Sequence, residues 1–400
     1  MFERLERMPD DSILGLMAAF RADPDTRKVD LGVGVYRNER GETPVLESVR
    51  RAEQAVLARQ TSKTYVAPIG NAGYNQGMER LVFGEGHAAL KAGRIRTLQA
   101  PGGCGALRVG AELIKIAMPE ATVHVSTPTW ANHVPLLTGA GIKLERYPYY
   151  DATTGGVNFS AMIAGLEKLP ARAVVLLHAS CHNPTGADLS EAQWRDVLAL
   201  VAKRGLIPYI DMAYQGLGTG VTEDAFGVRL FAAELPEVIV AVSCSKNFGL
   251  YRERTGALHI VSQTPQAADA IQSQLVRIAR TIYSMPPDHG AAIVHEILAN
   301  DALRGSWLDE LGEMRNRIAG LRRDVVARLA KSYPQRDFSY IERQRGMFSY
   351  LGVSVDQVRA LRERHHVYMT DDSRINIAGL RTDNIAYFAD SVAQVLGGAK

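Results

Sequence analysis

At 400 residues the chain is longer than one typical core of about 100–200 residues, so two domains are expected. Its 46% apolar and 22% charged content excludes a disordered chain, a coiled coil and a collagen-like repeat. Lysines and arginines (46) nearly balance acids (43), a net charge of +3, so no nucleic-acid-binding face is implied.

The opening segment MFERLERMPDD mixes acids and bases and has no apolar signal core. The apolar run 13–20 is too short to span a bilayer. It follows Asp10, Asp11 and Ser12, all helix-capping types, and so predicts a buried helix. Strands are predicted at 122–126, 173–178, 207–211 and 238–243, each rich in Val and Ile and each followed by a polar or glycine-containing turn. Helices are predicted between them, at 106–117 and 191–204. This alternation is that of an α/β protein with a largely parallel sheet. From about 307 to 329 the chain reads as one long charged helix, followed by short strand-like pieces and a last helix ending near 396. We place a large domain at 44–312 and a smaller α/β domain at 11–43 plus 313–400. No repeat and no low-complexity linker separates them. The three cysteines, Cys104, Cys181 and Cys244, form no CxxC or zinc-ligand spacing, which fits a reducing cytoplasm.

In open α/β sheets, ligands sit beyond the carboxyl ends of the strands. Asp211 ends one predicted strand and Lys246 follows another; Asn183 lies in HNPTG and Trp130 in TPTW, each in the turn after a strand. Four such groups at four strand ends point to one site. A desolvated amine can form a Schiff base with an aldehyde cofactor. A carboxylate can keep a pyridine nitrogen protonated, which makes the ring an electron sink. Taken alone, Lys246 would be a solvated loop lysine and Asp211 a helix cap. Ser243, Ser245 and Arg254 around Lys246 change that balance, because they are donors suited to a phosphate. Gly102 and Gly103 precede an amphipathic helix, whose free N–H groups and dipole favour an anion. The segment is neither a nucleotide P-loop nor a GxGxxG turn. His178 and His182, four apart on a strand-to-turn segment, do not share a helical face and are read as structural.

These pieces resemble the fold-type I pyridoxal-phosphate (PLP) aminotransferases, and among them the aspartate and aromatic amino acid group. The resemblance runs nearly end to end, through DLGVGVYRNERGETPVL, SKTYVAPIGNAGY, PGGCGALR, HNPTG, DMAYQG, SCSKNFGLYRERTG, RTIYSMPPDHG, RGMFSYLG and SRINIAGL. It implies that Lys246 carries the cofactor, Asp211 pairs with its ring nitrogen, Tyr214 and Asn183 bond its ring oxygen, and Trp130 stacks on the ring. Gly102, Gly103, Cys104, Ser243, Ser245 and Arg254 would hold the phosphate, with Tyr65 reaching in from a second subunit. Arg374 would bind the substrate α-carboxylate as a bidentate fork, assisted by Asn183 and the Gly34 backbone, with Trp130 beside it. Arg280, also from the second subunit, would meet a distal carboxylate. The resemblance further implies a homodimer with shared active sites, residues 1–10 forming an arm on the partner. Many relatives carry Thr or Ser where this chain has Cys104, and a thiol is the weaker donor.

Met285 and Thr64 stand where strict aspartate enzymes tend to carry Asn, which favours acceptance of aromatic amino acids. Arg37 and Thr43 are polar and favour strict dicarboxylate specificity instead. A PLP-dependent lyase or decarboxylase is opposed by Arg280. A PLP-sensing regulator is opposed by the absence of a helix-turn-helix segment.

Overall fold

Val174–His178, Ile207–Met212 and Val238–Ser243 are nearly unbroken apolar runs, the pattern of strands covered on both faces. In the computed structural model, which describes residues 1–7 and 12–397, they form the centre of a seven-stranded sheet. Its order is Ile95–Pro101, Thr255–Val261, Val238–Ser243, Ile207–Met212, Val174–His178, Thr122–Thr127 and Lys143–Pro148. Thr255–Val261 runs antiparallel to both neighbours, and the five strands beyond it are parallel to one another. This sheet belongs to a larger unit of Pro44–Asn316 with Gln344–Gly346.

Helix Gly102–Ala117 lies against the sheet, with Leu107, Val109, Leu113 and Ile114 in the same core as Leu98, Val125, Tyr209 and Leu258. The approach is close. Tyr209 donates its hydroxyl to the Leu107 carbonyl at 2.7 Å, and a Cβ added to Gly110 would stand 2.4 Å from that hydroxyl oxygen. Helix Glu191–Arg204 begins with a reciprocal capping box between Ser190 and Gln193 and ends on Gly205 at positive φ.

The smaller unit comprises Met1–Thr43, Arg317–Arg343 and Met347–Lys400. Val29–Asp30 pairs in parallel with Val367–Tyr368, and Phe348–Tyr350 pairs antiparallel with Arg374–Asn376. Helices Ser12–Ala22, Val355–His365 and Ile385–Gly397 belong to this unit. The long helix extends over Asp301–Ser332, beyond the 307–329 read from sequence, because Asn300 caps it by accepting from the Ala302 and Leu303 amides. The chain passes between units inside that helix, after Asn316, and returns briefly at Gln344–Gly346. Of the expected arm, residues 1–7 are described, with a short turn at Phe2–Arg4 and exposed Phe2 and Leu5; 8–10 lie outside the described residues. No helix among the described residues is long and apolar enough to cross a membrane.

Candidate active site

The parallel strands deliver their carboxyl ends to one edge of the sheet. Asp211 is the penultimate residue of Ile207–Met212, Trp130 and Asn183 follow Thr127 and His178, and Lys246 follows Ser243. The antiparallel strand obeys the same geometry in reverse. Its beginning lies at this edge, so Arg254 reaches the site from just before Thr255.

Burial places Lys246 in poor solvent and lowers its ammonium pKa below the ordinary lysine value. Asp211 and Cys104 oppose that shift and Arg254 adds to it. The Lys246 Nζ lies 5.1 Å from the centre of the Tyr214 ring. Asn183, itself buried, donates its amide to the Tyr214 hydroxyl at 3.4 Å, and its Oδ1 has no hydrogen-bond partner among the described residues.

Asp211 is 7% exposed, and burial alone would raise its pKa. A hydrogen bond from His133, with the electrostatic attraction of His133 and Lys246, outweighs burial and holds the carboxyl below its ordinary value. The His133 Nε2 to Asp211 Oδ2 distance is 3.1 Å. The other His133 nitrogen meets Thr129 Oγ1 at 2.8 Å, and that hydroxyl meets His178 Nε2 at 3.3 Å. Rings of His178 and His182 follow, 4.1 Å apart, and His182 is held by Ser126 at 3.0 Å and Thr185 at 2.9 Å. Burial drives the His178 pKa down to about 3 and that of His182 well down, so both imidazoles are neutral. The sequence reading took His178 and His182 as structural and missed His133 and Thr129. The ladder they form stands directly behind Asp211.

The phosphate-type donors cluster at the start of helix Gly102–Ala117. Gly102 has φ +71°, and a Cβ there would lie 2.5 Å from Arg254 Nη2, so the backbone requires glycine. A Cβ on Gly103 would meet Ser243 Cβ at 3.0 Å. Ser243 and Ser245 share a hydrogen bond at 3.1 Å, and Arg254 donates to the Tyr251 carbonyl at 2.9 Å. Cys104 accepts a long contact from Asn132 at 3.6 Å. Trp130 stands edge-on to His133, with ring centres 5.3 Å apart. An anionic carboxylate, a lysine with a lowered pKa, an unsatisfied buried amide and a glycine-walled nest of donors together match a phosphorylated pyridine aldehyde.

Two expected residues are not drawn into this cluster. Tyr65 is 89% exposed, and Arg280 is exposed and donates to the Ser284 hydroxyl. Neither hydrogen-bonds to a residue around Lys246 among the described residues. Arg374 and Gly34 belong to the smaller unit. There Arg374 donates through Nη2 to the Gly32 carbonyl at 2.6 Å. Arg37 is held by Asp30 at 2.5 Å, and Thr43 donates to the Tyr36 carbonyl at 3.0 Å.

The family model described as aminotransferase class I and II matches residues 26–392. The chain is 46% identical over 394 residues to the aromatic-amino-acid aminotransferase of Pseudomonas aeruginosa, covering 98% of each. It is 45% identical over 396 residues to the aspartate aminotransferase of the same organism, covering 99% of this chain and 100% of that one. Its fold is similar to that of the aromatic-amino-acid aminotransferase from Burkholderia pseudomallei, solved covalently bound to pyridoxal phosphate, with TM-score 0.97, 47% identity and 99% of each chain covered.

Proposed function

The chain belongs to the class I and II aminotransferases, and we propose that this PLP-dependent transaminase exchanges amino groups between both aromatic and acidic L-amino acids and 2-oxo acids such as 2-oxoglutarate. When bound, PLP supplies an aldehyde for amine exchange and a protonated ring that accepts electron density. The rest of the chemistry falls to this chain. Lys246 holds the cofactor and then carries the proton away from the substrate α-carbon; burial lowers its pKa, a shift in the direction a general base requires. Asp211, held below its ordinary pKa chiefly by His133, would pair with the ring nitrogen and favour its protonated form. Tyr214 and Asn183 would bond the ring oxygen, and Trp130 would cover the ring. Gly102, Gly103, Cys104, Ser243, Ser245 and Arg254 bind the phosphate, through backbone N–H groups at the helix start as well as side chains. Arg374 binds the α-carboxylate.

Arg280 carries the substrate reading. Its guanidinium is exposed, and no carboxylate pairs with it among the described residues. It is thereby available to a distal carboxylate, while Met285 and Thr64 lack the amide groups that could order water or hold Arg280 in place. We place Tyr65 and Arg280 in the site of a second copy; exposed Leu57 and Ile282 support a homodimer. Three free cysteines fit a cytoplasmic protein.

The test is kcat/KM for aspartate, glutamate, tyrosine and phenylalanine with 2-oxoglutarate, in wild type and Arg280→Ala. Losing one partner of a buried charge pair costs roughly 2–5 kcal/mol. The acidic substrates should therefore fall by on the order of 10²-fold or more, with phenylalanine changed far less. The Arg37–Asp30 pair and Thr43 favour a strict aspartate aminotransferase. Wild-type enzyme that turns over aspartate but neither aromatic substrate would establish that second reading.

A further inference from the structure

We propose that Phe348 is a positioning residue for substrate binding, because its ring face fixes the plane of the Arg374 guanidinium before a carboxylate arrives. The proposal rests on the reading of Arg374 as the α-carboxylate ligand. Strands Phe348–Tyr350 and Arg374–Asn376 pair with Phe348 opposite Asn376 and Tyr350 opposite Arg374. Phe348 and Arg374 are therefore diagonal neighbours on one face, within reach of long side chains. The Arg374 Cζ lies 4.5 Å from the centre of the Phe348 ring, a cation–π separation. The ring supports the guanidinium on one side, and the 2.6 Å bond from Nη2 to the Gly32 carbonyl anchors one arm of the fork. With both fixed, the fork needs no reordering to accept a planar carboxylate.

The surroundings hold this pair in register. Asn376 donates to the Val33 carbonyl at 2.6 Å and the Val35 carbonyl at 2.8 Å, which clamps the loop that presents Gly32. Gly34 leaves room for the ring, since a Cβ there would lie 2.9 Å from Phe348 Cζ. Behind the ring, buried Arg322 donates at 2.7 Å to each of the Phe348 carbonyl, the Ser349 hydroxyl and the Ile341 carbonyl. The strand bearing Phe348 cannot slide without breaking those bonds. A phenylalanine that only filled the core would be served by any apolar side chain of similar size. The guanidinium contact makes the ring specific.

The test uses holoenzyme and 3-phenylpropionate, a carboxylate with no amino group to exchange. Phe348→Leu should weaken its Kd about five- to tenfold and raise KM for amino acid and 2-oxo acid alike, with kcat within about twofold and cofactor content unchanged. A leucine also leaves a cavity, so 3,5-difluorophenylalanine incorporated at 348 provides the second variant. It keeps the shape but depletes the ring face, and Kd should weaken at unchanged Tm. An unchanged Kd in the fluorinated holoenzyme overturns the proposal. Arg374→Leu separates the two layers. If it leaves the 3-phenylpropionate Kd unaltered, the carboxylate assignment itself fails; if it weakens Kd while both Phe348 variants are silent, only the positioning role fails.

Discussion

Lys246→Ala should abolish steady-state transamination while the protein stays folded. Loss of a positioned general base alone costs about 10²–10⁴-fold, and loss of the covalent anchor for PLP adds to it. The visible absorbance of lysine-bound cofactor should disappear with the activity. The same substitution should raise the stability of the apoprotein near neutral pH. The unfolded chain holds its lysine proton up to about pH 10.4, whereas burial lowers the pKa in the folded state. Between those two values the unfolded state binds more protons, so Lys246 makes stability rise with pH, and its penalty is fullest below the folded-state pKa. Alanine removes the penalty. Thermal melts of cofactor-free wild type and variant at pH 7 check the sign, and near-wild-type turnover by the variant would refute the assignment.

Asp211→Ala should retain PLP but lower kcat by on the order of 10²-fold or more, the scale of truncating one member of a buried charge pair. The carboxylate is the acceptor that keeps His133 oriented, through the 3.1 Å bond to Nε2. Removing it leaves a buried N–H unpaired as well as depriving the ring nitrogen of its charge partner. Cofactor content and kcat, measured together, separate the two roles. An unchanged kcat would reduce Asp211 to a structural acceptor for His133.

The centre of the sheet was legible because Val238–Ser243 and its neighbours are continuous apolar runs, a signal that needs no partner to interpret. Ile95–Pro101 and Thr255–Val261 were not recognised. Buried polar residues interrupt them, Thr97 and Gln99 in one and His259 in the other, and Thr97 Oγ1 and His259 Nδ1 meet at 2.7 Å only once the strands pair. Edge strand Lys143–Pro148 is largely polar and gave no signal either. In the site, the strand-end positions of Lys246, Asp211, Asn183 and Trp130 were readable from local pattern. The His133–Thr129–His178 ladder was not, since Thr129 and His133 follow one strand while His178 ends the next, and only the pairing of those adjacent parallel strands brings them together. Local pattern pointed these strand-end groups to one site, while the partner of each cofactor atom was named chiefly by resemblance.

The parallel pair formed by Val29–Asp30 and Val367–Tyr368 sets an order on biosynthesis. A ribosome adds about 5–20 residues per second, so residue 29 waits on the order of tens of seconds before its strand partner is made. Ile95–Pro101 waits for Thr255–Val261 in the same way, though for less time. Throughout the first interval Val29 and Leu31, both fully enclosed in the finished protein, face solvent or a chaperone. The larger unit can meanwhile close its sheet once Val261 has emerged. Nascent chains stalled after residue 320 should therefore resist protease across 95–261 while remaining cleavable near residue 29.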